Sequence, residues 1–328
     1  MRSNIPWLRT IEQFEDEAIA STAVRLAPMG RIDTDTLLSL HLGMTDQSVS
    51  TIASRADAIA ELAALGSFDH AKLSKGAWRM FKDRIEFLGC VLPVGWLVPE
   101  RRRLAPGQMA SAGENARVKN TWLLSGLICD VETGETLLDR CPACLNLLAW
   151  RNLPNIWSCQ VCKLDLRSVT PRQSPPEAVA AVRELARYLL KRDIRLPAPL
   201  GDLPSPDVLK FSAWLSYFRW LPEDLGLAIS PKNVPAGFLL LKRWPTCFDE
   251  IVLKRMKAST AEDLAKGDVI SRIKAAGTLS SSVARLPSAA AQAIVKSRLE
   301  TLFGFLDGSS EGFQDVMVPI SELVNSRF

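Results

Sequence analysis

Two closely spaced pairs of cysteines limit what this chain can fold into more than any other feature. Cys141 and Cys144 form one CxxC pair, and Cys159 and Cys162 form a second pair after residues 145–158. Each pair predicts a tight turn that aims two thiolates at one point, and two such turns supply the tetrahedral sulfur coordination that zinc prefers. Because four protein ligands leave no open position for water, the pattern predicts one structural zinc ion and excludes metal-assisted hydrolysis there.

Two other interpretations of these cysteines are open. They can form two redox-active CxxC motifs, or they can be buried as small apolar residues. A thioredoxin-like redox motif uses one CxxC in a βαβ setting, which the sequence around residue 141 lacks. The doubled spacing therefore favours zinc.

The composition is that of a folded protein, and the N-terminal sequence predicts a reducing compartment. Hydrophobic residues make up 47% and charged residues 23% of the 328 residues, which allows two or three domains, each with its own core. No apolar run reaches the roughly 18–20 residues that cross a membrane, and residues 1–15 carry charges where a signal peptide needs an apolar stretch. We therefore expect a cytoplasmic protein, in which paired cysteines more often bind metal than form disulfides. The net charge of +4 is compatible with a nucleic-acid partner but does not require one.

The sequence predicts a mainly α-helical chain of three domains. Residues 1–92 carry apolar residues at helical spacing and form the predicted N-terminal helical domain. Residues 93–170 place proline, glycine and turn residues between short apolar runs, which predicts a zinc-ribbon module with short β-strands. After a proline-rich linker, residues 171–328 form the predicted C-terminal helical domain. The individual helices predicted from apolar spacing are 12–26, 35–42, 47–65, 177–191, 205–220 and 248–256.

Residues 36–54 have the sequence pattern of a helix-turn-helix. Gly43 permits the turn, and Thr45 or Asp46 caps the second helix. The exposed face of that helix offers polar side chains to DNA or to a partner protein, and the candidates are Gln47, Ser48, Thr51 and Arg55. Phosphate affinity depends on local cations, and Arg55 is the only cation near this face in the sequence, so protein contact is favoured over direct base reading. An ordinary helical hairpin is the alternative interpretation.

Three consecutive arginines, Arg101, Arg102 and Arg103, are further candidates for contact with DNA or a partner. They can grip phosphate beside the predicted zinc module, or they can belong to a solvated loop. The sequence has no glycine-rich nucleotide-binding loop, and His41 and His70 have no partner at metal-binding or catalytic spacing. We therefore expect a protein that binds partners, has no catalytic residues and takes no small-molecule substrate.

Several segments together carry a resemblance to a known family. In chain order they are Ile5-Pro6; Glu17, Ser21 and Arg25-Leu26-Ala27; the helix-turn-helix at 36–54; Leu137-Leu138 before Cys141-Pro142-Ala143-Cys144; Cys159-Gln160-Val161-Cys162 before Asp165-Leu166; and Trp244-Pro245-Thr246-Cys247-Phe248. On these residues the chain resembles the TniQ family of transposition proteins, which includes TnsD-like target selectors. The resemblance covers most of the chain and is weak in the last seventy residues or so.

The resemblance implies a non-catalytic adaptor. Such a protein connects a target, reached through DNA or through an RNA-guided (CRISPR-associated) complex, to an AAA+ ATPase that regulates transposition. It often acts as a homodimer when docked on an RNA-guided complex. The alternative function is a stand-alone transcription regulator with a helix-turn-helix and a zinc ribbon, which would bind its operator without an ATPase.

The chain departs from the family pattern at a first zinc knuckle, commonly of the type CxxC…CxxH. Here the expected first pair falls at residues 104–107, which contain no cysteine, and the second pair survives as Cys129 with Glu132 in place of histidine. One thiolate and one carboxylate do not complete a zinc shell. We therefore expect a single zinc ion, with the first knuckle replaced by hydrophobic packing of residues 122–128.

Overall fold

The chain forms two compact units, residues 1–192 and residues 193–328. The computed structural model describes residues 11–190, 194–220, 231–254, 283, 286 and 288–307, and Ile5-Pro6 lies outside this part. The described residues are mainly helical with one small antiparallel sheet, so the predicted fold class is confirmed at that level. The three domains predicted from the sequence stay a prediction. Within the described residues, no helix is both long and apolar enough to cross a membrane.

Helix α1 (Ile19–Leu26) lies in the interior of the first unit. All 8 of its residues are buried, so it packs against protein on every side. The sequence predicted a helix from residue 12, but backbone groups of Asp16 and Ala18 form hydrogen bonds with residues far along the chain instead of within a helix. The amide of Asn120 donates to the carbonyl of Asp16 at 2.7 Å, and the amide of Ala18 donates to the carbonyl of Val118 at 2.8 Å. The first turns of the predicted helix are therefore replaced by pairing with residues 118–120.

The other helices of the first unit are short. Most contain at most three turns, and helices this short are stabilised mainly by packing against the rest of the unit. They are the 3₁₀ turn Ala27–Gly30; α2 (Thr34–Thr36) with the π turn Leu37–His41; the 3₁₀ helix Val49–Ser54; α3 (Ala56–Gly66); α4 (His70–Ser74); α5 (Pro106–Ala112); the 3₁₀ turns Gly113–Asn115, Asn120–Leu123 and Leu166–Ser168; and α6 (Pro176–Leu189).

The predicted helix over 47–65 is broken into two elements. Residues Val49–Ser54 form a 3₁₀ helix, and α3 starts only after Arg55, which adopts an extended conformation with φ −121° and ψ 108°. The cap is Ser48, whose hydroxyl accepts the amide of Ser50, and not Thr45 or Asp46. Gly43 does adopt a positive φ of 64° at the turn, as predicted. The segment 36–54 is therefore helical on both sides of a turn, but its second element is not an α-helix.

A three-stranded antiparallel sheet follows α4, inside the region predicted to be wholly helical. Its strands β1 (Trp78–Met80), β2 (Arg84–Phe87) and β3 (Cys90–Pro93) lie in sequence order. Between β2 and β3, Leu88 and Gly89 both have positive φ, which is the geometry of a two-residue hairpin turn that matches strand twist. After β3, residues 93–170 contain isolated bridges instead of continuous strands.

The second unit is built on two helices that cross closely. Helix α7 (Ser205–Trp220) has the predicted bounds and follows the 3₁₀ turn Leu200–Asp202. Helix α8 (Val234–Leu241) follows the 3₁₀ turn Pro231–Asn233, and residues 246–254 and Ala289–Asp307 are also helical. The Trp-Pro-x-x-Phe segment contributes Trp244 and Phe248 to the core, with ring centroids 5.0 Å apart.

Gly237 in α8 sets how closely the two helices approach. A Cβ atom at this position would lie 1.7 Å from the carbonyl oxygen of Ser212 in α7. Because that oxygen belongs to the backbone, the helices themselves must separate, and we expect Gly237→Ala to destabilise the second unit by about 3 kcal/mol. Chemical denaturation of the full chain measures the change. The exposed neighbour Ala236 provides the control, since Ala236→Ser is expected to change stability by less than about 0.5 kcal/mol; equal effects of the two substitutions would contradict this close packing.

A candidate metal centre

The four cysteines of the two CxxC pairs converge on one point. The sulfur atoms of Cys141, Cys144, Cys159 and Cys162 all lie within 4.8 Å of one another. Cys141 Sγ is 3.6 Å from Cys162 Sγ, and Cys144 Sγ is 3.7 Å from Cys159 Sγ. Tetrahedral zinc with Zn–S bonds of about 2.3 Å requires sulfur–sulfur distances of about 3.8 Å. The donor set and its spacing therefore fit a zinc ion.

The two cysteine turns repeat the same backbone geometry. In each turn the residue four positions after the first cysteine has a positive φ: 59° at Leu145 and 61° at Lys163. Its amide donates back to the carbonyl of that cysteine, at 2.8 Å in the first turn and 3.1 Å in the second. Antiparallel bridges then close both turns at matching positions, Arg140 with Leu147 and Ser158 with Asp165. Each turn therefore holds two sulfur atoms in a defined direction before any metal is considered.

The four thiols have unequal surroundings. Cys141 and Cys159 are buried, Cys144 is half-buried and Cys162 is exposed. Burial raises the pKa of Cys141 to about 12, whereas hydrogen bonding with Asn146 lowers the pKa of Cys144 to about 6. A coordinated divalent cation stabilises the thiolate form of its ligands, so metal binding here releases protons.

Arg102 links residues 99–104 to residues 156–158, the segment that leads into the second cysteine turn. Its side chain is fully buried, and its guanidinium group donates to the carbonyl of Ile156 at 2.8 Å and to that of Ser158 at 2.6 Å. Burial lowers the pKa of Arg102 to about 10, which leaves the group cationic at neutral pH. The indole of Trp150 adds a further bond by donating to the carbonyl of Pro99 at 2.8 Å. Residues 99–104 thus hold the cysteine hairpin, residues 141–166, through these hydrogen bonds.

Arg103 is also buried, but it supports a different segment. Its guanidinium group donates to the carbonyls of Trp122, Leu124 and Leu127 at 2.7–3.0 Å. Both guanidinium groups are buried and bound to backbone carbonyls, and the contact of Arg102 and Arg103 with DNA or a partner stays a prediction. Arg101 is exposed and stays a prediction.

A buried ion pair in the first unit was not identified as a site from the sequence. Arg25 Nη1 lies 2.7 Å from Glu17 Oε2, and both residues are buried. The hydroxyl of Ser21 donates to Glu17 Oε1 at 2.6 Å and accepts the amide of Val118 at 3.1 Å. Burial raises the pKa of Glu17 to about 7, against the opposing effect of Arg25. The spacing of Glu17, Ser21 and Arg25, used above only as a resemblance, therefore encodes a network that ties α1 to residues 118–120.

The cysteine cluster and the Glu17 network both lie in a segment that matches a known family. The family model TniQ matches residues 8–164, a segment that contains the Glu17 network and all four clustered cysteines. This segment is a TniQ domain. A search of curated proteins gave no match to the chain. The TniQ domain associates the chain with transposition.

The position expected for a first zinc knuckle in this TniQ domain is filled by packing and by hydrogen bonds. Cys129 is buried and, within the described residues, belongs to no cluster of metal-binding side chains. The apolar residues between 122 and 128 are largely buried, in agreement with the predicted packing. The sequence did not indicate the role of Asp130, whose carboxylate accepts the Trp122 indole at 2.8 Å and lies 3.2 Å from Lys119 Nζ. A buried carboxylate with these donors stabilises the region.

Two of the four candidate residues of the helix-turn-helix segment line a polar cleft of the TniQ domain. The cleft has a volume of about 470 Å³ and lies between residues 33–49 and the loop Trp150–Asn152 of the cysteine hairpin. Gln47 and Ser48 line it, whereas Thr51 donates its hydroxyl to the carbonyl of Ser48 at 2.6 Å and Arg55 pairs with Asp57. The exposed carboxylates at the cleft belong to Asp33, Asp35 and Asp46.

Proposed function

We propose that this chain is a non-catalytic adaptor in DNA transposition, which connects a recognised target to an AAA+ ATPase that regulates the transposase. The TniQ match over residues 8–164 carries this proposal. Target recognition proceeds through DNA or through an RNA-guided complex, and the adaptor functions as a homodimer. The chain contributes binding surfaces and no chemistry.

The proposal includes one structural zinc ion held by Cys141, Cys144, Cys159 and Cys162. When bound, zinc links the two cysteine turns and contributes folding free energy to the hairpin. Four sulfur ligands complete the coordination shell, so this centre positions a surface and does not activate water. The support for this assignment is that the four sulfur atoms lie within 4.8 Å of one another, with two of their separations at 3.6 and 3.7 Å.

The polar cleft is the proposed contact surface for a protein partner. Gln47 and Ser48 of the helix-turn-helix segment meet the loop of the cysteine hairpin there, so one partner can contact both parts of the TniQ domain. The exposed carboxylates of Asp33, Asp35 and Asp46 outnumber the one cation that lines the cleft, Arg151, so the cleft disfavours DNA phosphate. Arg55 adds little compensation, since its guanidinium group is paired with Asp57.

Co-purification of the full chain with an AAA+ ATPase from its native host tests the proposal. We expect a stable complex with the ATPase, and we expect Asp35→Arg in the cleft to weaken it. Asp83→Arg provides the matched control, because Asp83 is equally exposed and lies on the β1–β2 turn away from the cleft. Sedimentation of the chain alone measures whether it is a dimer.

The alternative function, a stand-alone transcription regulator, gives a different result in the same experiment. A regulator would not bind the ATPase, and the chain alone would bind a specific duplex with high affinity and steep salt dependence. That combination would overturn the adaptor proposal.

A further inference from the structure

Arg102 is a buried cation without a carboxylate partner among the described residues. Its side chain has no solvent exposure, and its guanidinium hydrogen bonds go to the neutral carbonyls of Ile156 and Ser158. Its Nε is also buried and has no hydrogen-bond acceptor within the described part of the chain. Buried charges in proteins are normally paired, because an uncompensated charge in a low-dielectric interior is costly. The position therefore requires a source of negative charge that carboxylates do not supply.

A metal-bound cysteine cluster can supply that charge. The guanidinium group binds the carbonyls at 156 and 158, immediately before Cys159, and the Cys159 sulfur acts on it electrostatically. Four thiolates around one divalent cation form a complex that is formally a dianion. In a buried setting, such a complex and a nearby guanidinium attract each other strongly.

We propose that Arg102 is the counter-ion of a tetrathiolate metal centre, where it raises metal affinity and lowers the reactivity of the bound thiolates. Arg102 is a positioning residue that acts through the backbone of residues 156–158 and through its charge. It does not ligate the metal. This inference rests on the proposed zinc site and adds to it a residue outside both CxxC pairs.

Arginine suits this position better than lysine. The guanidinium group spreads its charge over a plane and donates to two carbonyls at once, whereas an ammonium group is a compact point charge. The two carbonyls belong to the segment that leads into Cys159, so the same contacts also fix the direction from which that sulfur approaches the metal.

The neighbouring Arg103 is a matched control within the same chain. It is also buried, and its guanidinium group also donates to backbone carbonyls, at Trp122, Leu124 and Leu127. The negative groups acting on it are Asp139 and Cys129, and neither belongs to the cysteine cluster. Loss of Arg103 therefore removes a comparable set of structural contacts without removing a charge from the metal centre.

The test compares Arg102→Met, Arg103→Met and Arg102→Lys in the full chain. Zinc affinity is measured by competition with a chromophoric chelator, and the reactivity of the bound thiolates is measured as their rate of alkylation. We expect Arg102→Met to weaken zinc binding by about 10- to 100-fold, as is usual for groups that orient metal ligands, and to accelerate alkylation. Arg103→Met is expected to leave both quantities unchanged. Arg102→Lys restores the charge, so we expect it to return the alkylation rate towards that of the unsubstituted chain.

Equal changes in Arg102→Met and Arg103→Met, or no restoration in Arg102→Lys, would overturn the counter-ion role. If Arg102→Met does not fold, Arg102→Lys carries the test alone. It must then bind zinc more weakly than the unsubstituted chain, since it loses one carbonyl contact, while its alkylation rate stays near the original value. An unsubstituted chain that binds no zinc would instead overturn the proposed metal centre itself.

Discussion

Replacement of Cys159 with serine is expected to abolish zinc binding and to unfold the cysteine hairpin. The Cys159 sulfur is buried, lies 3.7 Å from that of Cys144, and accepts the amide of Val161 at 3.4 Å. A serine hydroxyl is not a zinc ligand of comparable strength, and three thiolates leave the shell incomplete. Structural zinc in small modules contributes about 10–16 kcal/mol of apparent binding free energy, which is available only when the ligands are folded around it.

The unfolding should be local. The hairpin between residues 141 and 166 buries few large apolar side chains, among them Leu148, Trp150 and Ile156. We expect proteolytic cleavage to appear within this hairpin and the zinc content to fall to zero, with a lower melting temperature for the first unit. Zinc content, thermal melting and limited proteolysis of the same preparation measure these changes.

Cys129→Ser provides the matched control for this prediction. Cys129 is equally buried and lies outside the cysteine cluster, so its replacement should leave the zinc content unchanged. Cys162→Ser, at the exposed corner of the cluster, should remove zinc as completely as Cys159→Ser. Unchanged zinc content and unchanged melting in Cys159→Ser would rule out the metal assignment.

The second large effect is expected at the buried ion pair of α1. Arg25→Met leaves the Glu17 carboxylate buried without its cation, and breaking such a pair costs about 3–5 kcal/mol. The cost depends on pH, since the folded-state pKa of Glu17 is raised by burial to about 7 from an ordinary value of 4.5. The folded chain therefore keeps a proton that the unfolded chain releases, and this contribution to stability is present below pH 4.5 and lost as the pH rises towards 7.

The pH dependence separates the charge effect from a general packing defect. At pH 8 Glu17 is ionised in the unsubstituted chain, so Arg25→Met must either bury a lone charge or protonate Glu17, and we expect a loss of up to about 3–5 kcal/mol. At pH 5 the carboxyl group is protonated and the loss should shrink to about 1 kcal/mol, the scale of a hydrogen bond. The double variant Glu17→Gln/Arg25→Met should recover most of the stability at pH 8, because it leaves no buried charge. Urea denaturation at both pH values measures this, and a loss of equal size at pH 5 and pH 8 would show that the ion pair is not responsible.

Local patterns in the sequence predicted those elements whose interactions are themselves local. The two CxxC turns are closed by bonds within each turn, so their spacing alone indicated that the four sulfur atoms converge. Helix α7 has the predicted bounds of Ser205–Trp220 for the same reason: a proline follows Ser205 in the first turn, and the helix is continuous beyond it. The fold class followed from apolar spacing along the chain.

Long-range contacts account for what the sequence did not predict. The consecutive arginines Arg101, Arg102 and Arg103 suggested phosphate contact. Nothing in the sequence indicated that Arg102 would bind carbonyls that lie 54 and 56 residues further along the chain. Residues 16–18 have helical spacing, yet they pair with residues 118–120. The break at Arg55 was also hidden, because a 3₁₀ helix and an α-helix in succession leave a nearly continuous pattern of apolar residues.

X-ray absorption at the zinc edge, with metal content determined on the same purified chain, tests the assignment of the cysteine cluster most directly. We expect about one zinc ion per chain, surrounded by four sulfur atoms at about 2.3 Å. A chain purified without zinc, or a zinc shell that contains nitrogen or oxygen in place of one or more sulfur atoms, would contradict a structural centre formed by Cys141, Cys144, Cys159 and Cys162.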